Sequence, residues 1–347
     1  MEDELIHRIL RLYFLEPTYI EGYENTSKIF TAQGVFALKR FKGSDRAAST
    51  FLFHIQRLYQ SGFSHFVPVY HTNDGRYLVK EEEDYYYLTP WIGKKNRGND
   101  QQEQYSLLFK TLGQLHRATE DYKPQDKSIY EDHYEYLTAT WQAEREYLES
   151  IIESYEKKWY MSPFELLFCS LYHQALRAHE FATKIIEDWY KEVEDSNEVR
   201  VVMNHGKPSI HHFVCDEQSV GYLLSLEHSY YASPTRDLVD FFKTSMNTYP
   251  LNVENRFQWW KSYQKEFPWN KDENLLFLAY LAYPKQVIDI VIQYESNESK
   301  VNQLTQVARL QKSFWLMNNI EYFITKVQEE EYAKELEKAQ SELDNII

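Results

Sequence analysis

The sequence predicts an α+β protein of two lobes, a small β-rich N-terminal lobe followed by a large helical C-terminal lobe. Short apolar runs with strand-like alternation, separated by turn signals, fill the first 90 residues. From Gln101 onward long amphipathic helical stretches dominate, broken by one β-like interval at 199–227. A chain of 347 residues with 16% aromatic side chains has the material for a real core. Strands first and helices afterwards is the α+β pattern.

Residues 2–15 predict a short helix with Leu5, Ile6, Ile9, Leu12 and Tyr13 on one face. The runs SKIFTAQ, VFALKRF, FVPVYHT, RYLVKEE and DYYYLTPW predict strands, with turns at Gln33-Gly34 and Asn73-Asp74-Gly75. One helix, about 45–61, interrupts them. The expected organisation is a β-rich lobe over 1–90, a polar hinge over 91–100, a helical lobe over 101–326 and a charged terminal helix over 327–347. In that last segment Tyr332, Leu336, Ala339, Leu343 and Ile346 recur at heptad spacing for barely two heptads. This fits either a packed terminal helix or a partner-binding helix at 332–346.

The net charge of −15 and the lack of a basic run argue against nucleic-acid binding. Two cysteines, Cys169 and Cys215, make no disulfide framework. The N-terminal stretch MEDELIHRILRLYFL lacks the basic start and unbroken apolar core of a signal peptide, and no stretch approaches the length of a membrane span. Synthesis in the cytosol is therefore expected. The 29 tyrosines serve packing or, alternatively, a sticky or cross-linkable surface.

The stretch VVMNHGKPSIHHFV, residues 201–214, has the rhythm of a kinase catalytic loop: an apolar strand, His-Gly, a polar turn, then apolar residues. That loop needs an aspartate after the His-x pair and an asparagine five residues beyond it. Those places hold Lys207 and His212. In VFALKRF, Lys39 has the position of a lysine that reaches phosphates from a strand. The preceding turn, with Gly22, Asn25 and Ser27, is not a G-x-G-x-x-G loop. The helix after Lys39 carries Asp45 at its start and no Glu in its body, so Lys39 is expected to lack the usual ion-pair partner.

The order ALKRF, YLTPWIG, LGQLHRAT, NHGKPSIHH and YLLSLEHSYYASPTRDLVDFF resembles the aminoglycoside phosphotransferase and choline kinase-like superfamily. More narrowly it is similar to the CotS family of bacterial spore-coat proteins, over about residues 5–325. The resemblance implies a two-lobed kinase-like fold. It places His205 and Gly206 on the family's catalytic loop, with Lys207 at the aspartate position and His212 at the asparagine position. It places Ser225 and Glu227 at the two acids of the second metal-binding stretch, and gives Asp237 of PTRDL a supporting role under the catalytic loop.

A charged lysine neither binds Mg²⁺ nor accepts a proton, and magnesium prefers oxygen ligands to imidazole. The site residues His205, Lys207, His212, Ser225 and Glu227 therefore predict a degenerate site with no functional catalytic group and no metal, Lys39 being a vestigial phosphate lysine. The expected function is that of a noncatalytic kinase-fold protein, or pseudokinase, with a structural or assembly role. From the resemblance, its partners would be other spore-coat proteins, and it would be made in the mother-cell cytoplasm and deposited on the coat. No cofactor is expected. ATP and Mg belong to the alternative, an atypical phosphotransferase in which Glu227 supports residual transfer. Two further alternatives are an anion or nucleotide sensor built on Lys207 and a metal site from His205, His211, His212 and His228.

Overall fold

The computed structural model describes residues 2–93, 101–124, 126–194, 196–247, 252–296 and 302–344. The chain begins with helix α1 (Glu2–Arg11), strands β1 (Pro17–Tyr23), β2 (Thr26–Thr31) and β3 (Gly34–Lys42), helix α2 (Asp45–Ser61), and strands β4 (Val79–Glu81) and β5 (Asp84–Pro90). Then follow α3 (Gln101–Thr119), β6 (Asp121–Pro124), α4 (Lys127–Glu156) and α5 (Pro163–Glu194). Four short strands, β7 (Glu198–Asn204), β8 (Phe213–Cys215), β9 (Gly221–Leu223) and β10 (Tyr230–Ala232), make up the embedded β interval. Helices α6 (Thr235–Ser245), α7 (Val253–Glu266), α8 (Lys271–Ala282), α9 (Lys285–Ser296) and α10 (Gln303–Asp344) complete the chain. A small antiparallel sheet region followed by a large helical part is the architecture the sequence predicts.

The chain divides into two compact units. The first takes residues 1–121, 201–237 and 262–268, and the second takes 122–200, 238–261 and 269–347.

In the first unit a five-stranded sheet runs in the order β1-β2-β3-β5-β4, with antiparallel neighbours. Side chains alternate between its faces. One face carries Ile29, Leu38, Tyr86 and Leu88, which pack with Ile6, Ile9 and Leu10 of α1 into a closed core. Helix α1 stops at Arg11, short of the expected residue 15. Phe14 turns to φ 55° and the Leu15 N–H returns to the Leu10 carbonyl at 3.1 Å, which redirects the chain into β1. Strand β1 is an addition to the sequence reading, because its half-exposed residues give little apolar alternation. The run FVPVYHT is not a strand. Pro68 has no N–H to donate, and only isolated bridges form, Phe66 to Leu223 and Tyr70 to Leu88. Helix α2 spans the expected 45–61; the Ser44 hydroxyl accepts the Ala47 N–H at 3.3 Å, and Gly62, at φ 73°, closes the helix. Of the hinge expected at 91–100, residues 94–100 lie outside the described residues.

In the second unit α5 packs against α4, α8 and α10. Its tyrosines act largely as packing groups with a polar handle. Trp141 stacks on Tyr283 at 4.1 Å and Phe164 on Tyr294 at 3.9 Å, while the Tyr155 and Tyr283 hydroxyls donate to Glu295 and Glu144. The stretch Lys271–Ser296 is, with a mean hydropathy of 1.6, apolar enough to qualify as a span. Tyr283 and Pro284 divide it into two 12-residue helices, each too short to cross a bilayer. Helix α10 runs unbroken for 42 residues. Tyr332 and Leu336 on it are exposed, and residues 345–347 of the candidate partner helix lie outside the described residues.

Candidate functional site

The catalytic-loop stretch is held in place through its main chain. Strand β7 pairs with β10, Asn204 opposite Tyr230, and delivers His205, Gly206 and Lys207 at its end. The Asp237 carboxylate accepts the N–H of His205 at 2.6 Å and of Gly206 at 2.8 Å. This is the support under the loop that the resemblance implied for Asp237. The Asp237 N–H donates to Asn204 Oδ1 at 3.3 Å. Gly206 sits at φ +82°, and a Cβ there would overlap the His228 carbonyl.

His205 is fully buried. With Nε2–H donating to the Leu224 carbonyl at 2.7 Å, its Nδ1 accepts the Lys207 N–H at 3.2 Å, an arrangement that suits the neutral ring. Burial lowers its pKa to about 4. The His212 ring lies 6.0 Å away, stacked, and its Nδ1–H donates to the Lys207 carbonyl at 2.8 Å. Its pKa is lowered too, first by burial and further by the charges of Lys39 and Lys207. The Lys207 side chain is exposed.

Lys39 projects from β3, and its amine donates to the Ser225 hydroxyl at 2.6 Å. Ser225 adopts φ 61°, the left-handed region, which is strained for a residue with a Cβ. Among the described residues no carboxylate makes an ion pair with Lys39. Desolvation pushes the lysine pKa down and the field of Glu227 opposes it. The Glu227 carboxylate accepts the Tyr87 hydroxyl at 2.7 Å, which, with burial, raises the tyrosine pKa. The acid whose field acts on Lys39 is Glu227, far away in the sequence, and not a residue of α2. Helix α2 instead offers His54, whose Nδ1 lies 2.7 Å from Ser229 Oγ. Phe51 and Ile55 of α2 join Lys39, Tyr87, Ser225 and Leu226 around a cavity of about 10 Å³, near the lower limit for one water molecule.

Sequence reasoning missed the groups beside Lys39 on the same face of the sheet. Lys28 of β2 lies opposite Ala37, two residues from Lys39, with its amine 4.9 Å from the Trp91 ring and 4.6 Å from the Phe30 ring. Glu21 of β1 pairs with it at 3.6 Å, and Tyr23 stacks on Trp91 at 6.0 Å. Strand alternation alone could have placed Lys28 and Lys39 on one face, but only with the β2–β3 register in hand.

The groups described around Lys39 and the loop are one buried lysine amine, two imidazoles, one serine hydroxyl and one carboxylate already engaged by a tyrosine. Such a set suits an anion better than a divalent cation. His211 and His228 are exposed, and among the described residues no group of three or more His, Cys, Asp or Glu side chains could hold a metal ion.

No family model matches the chain, and no curated protein matches its sequence. Solved structures do match its fold. An aminoglycoside phosphotransferase from Alicyclobacillus acidocaldarius superposes with a TM-score of 0.71 at 16% identity, covering 92% of this chain and 94% of that one. The fold is aminoglycoside phosphotransferase-like. Spectinomycin phosphotransferase, solved with ADP and spectinomycin, matches with a TM-score of 0.53 at 14% identity over 94% of this chain and 98% of that one. Amicoumacin kinase matches at 0.53 and 12% identity over 92% and 93%. At such identities the likeness concerns the fold alone, and the chemistry must be argued from the residues of this chain.

Proposed function

We propose that this protein is a noncatalytic kinase-fold protein with a structural or assembly role, associated with the bacterial spore coat. The observation that supports the noncatalytic part is the hydrogen bond from Lys39 to the hydroxyl of Ser225. Phosphoryl transfer is positioning and charge neutralisation, with metal ions bridging the phosphates. By the resemblance, Ser225 takes the place of an anionic metal ligand and Lys207 that of the proton acceptor, and a hydroxyl and an ammonium suit neither role. Loss of a general base alone costs about 10²–10⁴ in rate. The spore-coat part rests on the sequence resemblance to the CotS family.

Thermal unfolding with ATP and Mg²⁺, read beside ADP release, tests the noncatalytic part. A ligand at about 100 times its Kd adds roughly 2.7 kcal/mol of stability, a shift easily seen. The expected result is no magnesium-dependent shift at millimolar ATP and no ADP. The double variant Lys207→Asp with His212→Asn should stay inactive, because Ser225 leaves the metal site incomplete. A magnesium-dependent shift with ADP release would establish the phosphotransferase reading instead. A magnesium-independent shift would favour an anion sensor, for which the partly desolvated Lys39 amine, without an ion pair among the described residues, is the supporting observation. A fluorescent fusion followed through sporulation tests the coat assignment: a ring around the forespore is expected, and diffuse signal with no protein in coat extracts would remove it.

A further inference from the structure

The second unit contains a cavity of about 710 Å³ between the end of α6, the α8–α9 junction and α10, within the size range of small-molecule sites. In a chain of net charge −15 its lining is cationic, with Lys243, Lys285, Arg309 and Lys312 against a single acid, Asp289. Lys285 is neutralised by Glu144 at 2.5 Å and by Asp289 at 2.9 Å. Among the described residues the other three have no ion pair, and Arg309 donates to the amide oxygens of Gln293 at 2.8 Å and Gln306 at 3.5 Å. Among the described residues Lys243 and Lys312 make no hydrogen bond or ion pair. Lys243 is half-buried, and its desolvation lowers its pKa against the nearby charge of Asp240. Asn247 lines the same cavity with a buried Oδ1 that has no partner among the described residues.

The remaining wall is mixed: Val287, Ile290, Leu316, Met317 and Ile320 supply its apolar part, and Thr244, Gln286 and Ser313 are polar. Ala282, Met317 and Ile320 also line an adjoining cavity of about 320 Å³, whose further walls include Phe181 and Ile324. Three cations with no ion pair among the described residues, lining the same cavity as Leu316, Met317 and Ile320, match a ligand with an anionic head and an apolar body. We propose that this cavity binds an anionic amphiphile, with a phosphate or carboxylate head held by Lys243, Arg309 and Lys312 and an alkyl body lying along Leu316, Met317 and Ile320. The site belongs to the second unit alone and is independent of the proposed loss of kinase chemistry.

Calorimetric titration of the full chain tests it with four probes below their micelle concentrations: octyl phosphate, nonanoate, octanol and inorganic phosphate. Saturable one-to-one binding of octyl phosphate or nonanoate is expected, the better of the two naming the head group. Octanol and inorganic phosphate should each bind at least ~10-fold more weakly, since each lacks one half of the match. Lys243→Met and Arg309→Gln should each weaken the preferred probe by roughly 10-fold. Lys312→Ala, at an exposed position, tests the charge requirement even where the buried variant fails to fold. Equal binding of octanol and octyl phosphate, or unchanged affinity in Lys312→Ala and Arg309→Gln together, would overturn the proposal. Displacement of octyl phosphate by hexaglutamate at lower concentration than by nonanoate would overturn it in favour of an acidic-peptide surface.

Discussion

Gly206 occupies a backbone conformation and a volume that no other residue fits, because its φ is +82° and the His228 carbonyl fills the space of a Cβ. Gly206→Ala should therefore cost about 1–3 kcal/mol or more, measured as a lowered urea midpoint. Unchanged stability would mean the loop relaxes without loss. Buried histidines contribute to the response to acid, His54 and His205 with the largest shifts. His54 and His205 have pKa values near 4 in the folded chain, below the ordinary 6.5, because burial disfavours the charged ring. The unfolded chain then binds more protons than the folded one between about pH 6.5 and 4, so stability falls as pH falls through that window. Each shift corresponds to about 3 kcal/mol. Denaturation at pH 7, 6, 5 and 4.5 should show the decline, and His54→Gln should flatten part of it. An identical slope in the variant would assign the decline elsewhere.

Helix α8 is tied to the second unit by its first turn. Asn270 and Glu273 form a capping box, and Arg200 grips the Glu273 carboxylate with two nitrogens, Nε at 2.8 Å from Oε1. Both side chains are nearly inaccessible to solvent. Arg200→Met strands a buried carboxylate and should cost about 3–5 kcal/mol. Arg200→Met with Glu273→Leu removes both charges and should recover much of that loss, as read by guanidinium unfolding. A double variant no better than the single would show that the pair's worth lies in its geometry. Elements with strong periodicity or clear caps, such as α2, were legible in the sequence. Strand β1 was not, because its exposed residues give little pattern. The run FVPVYHT misled because alternation without a donor at Pro68 cannot form a ladder.

The first unit gathers residues from three separate stretches of chain. Val67 N–H donates to the Leu223 carbonyl at 3.0 Å, and the Leu223 N–H to the His65 carbonyl at 2.9 Å. His54 leans on Ser229 and Lys39 on Ser225. Residues 1–121 expressed alone lose all of these partners. They should give a broad urea transition, against a steep one for the full chain. A steep transition in the fragment would show that the sheet and its helices suffice. At this scale the ordered motifs made the fold readable, since each is a local string. The site was readable only in part: the string names Lys39, His205, Lys207, His212, Ser225 and Glu227, but the Lys39–Ser225 and Tyr87–Glu227 bonds and the place of Lys28 depend on register and long-range closure. The restraints described on the loop at 205–207 use its main chain and the His205 ring: Asp237 accepts the N–H groups of His205 and Gly206, the His205 ring bonds the Leu224 carbonyl and the Lys207 N–H, and His212 donates to the Lys207 carbonyl. The side chain of residue 207 bears none of that weight. Mutation can therefore exchange aspartate for lysine there without disturbing the architecture, whereas position 212 must keep a donor for the Lys207 carbonyl. The fold thus tolerates a free choice of side chain at position 207 and constrains the one at position 212.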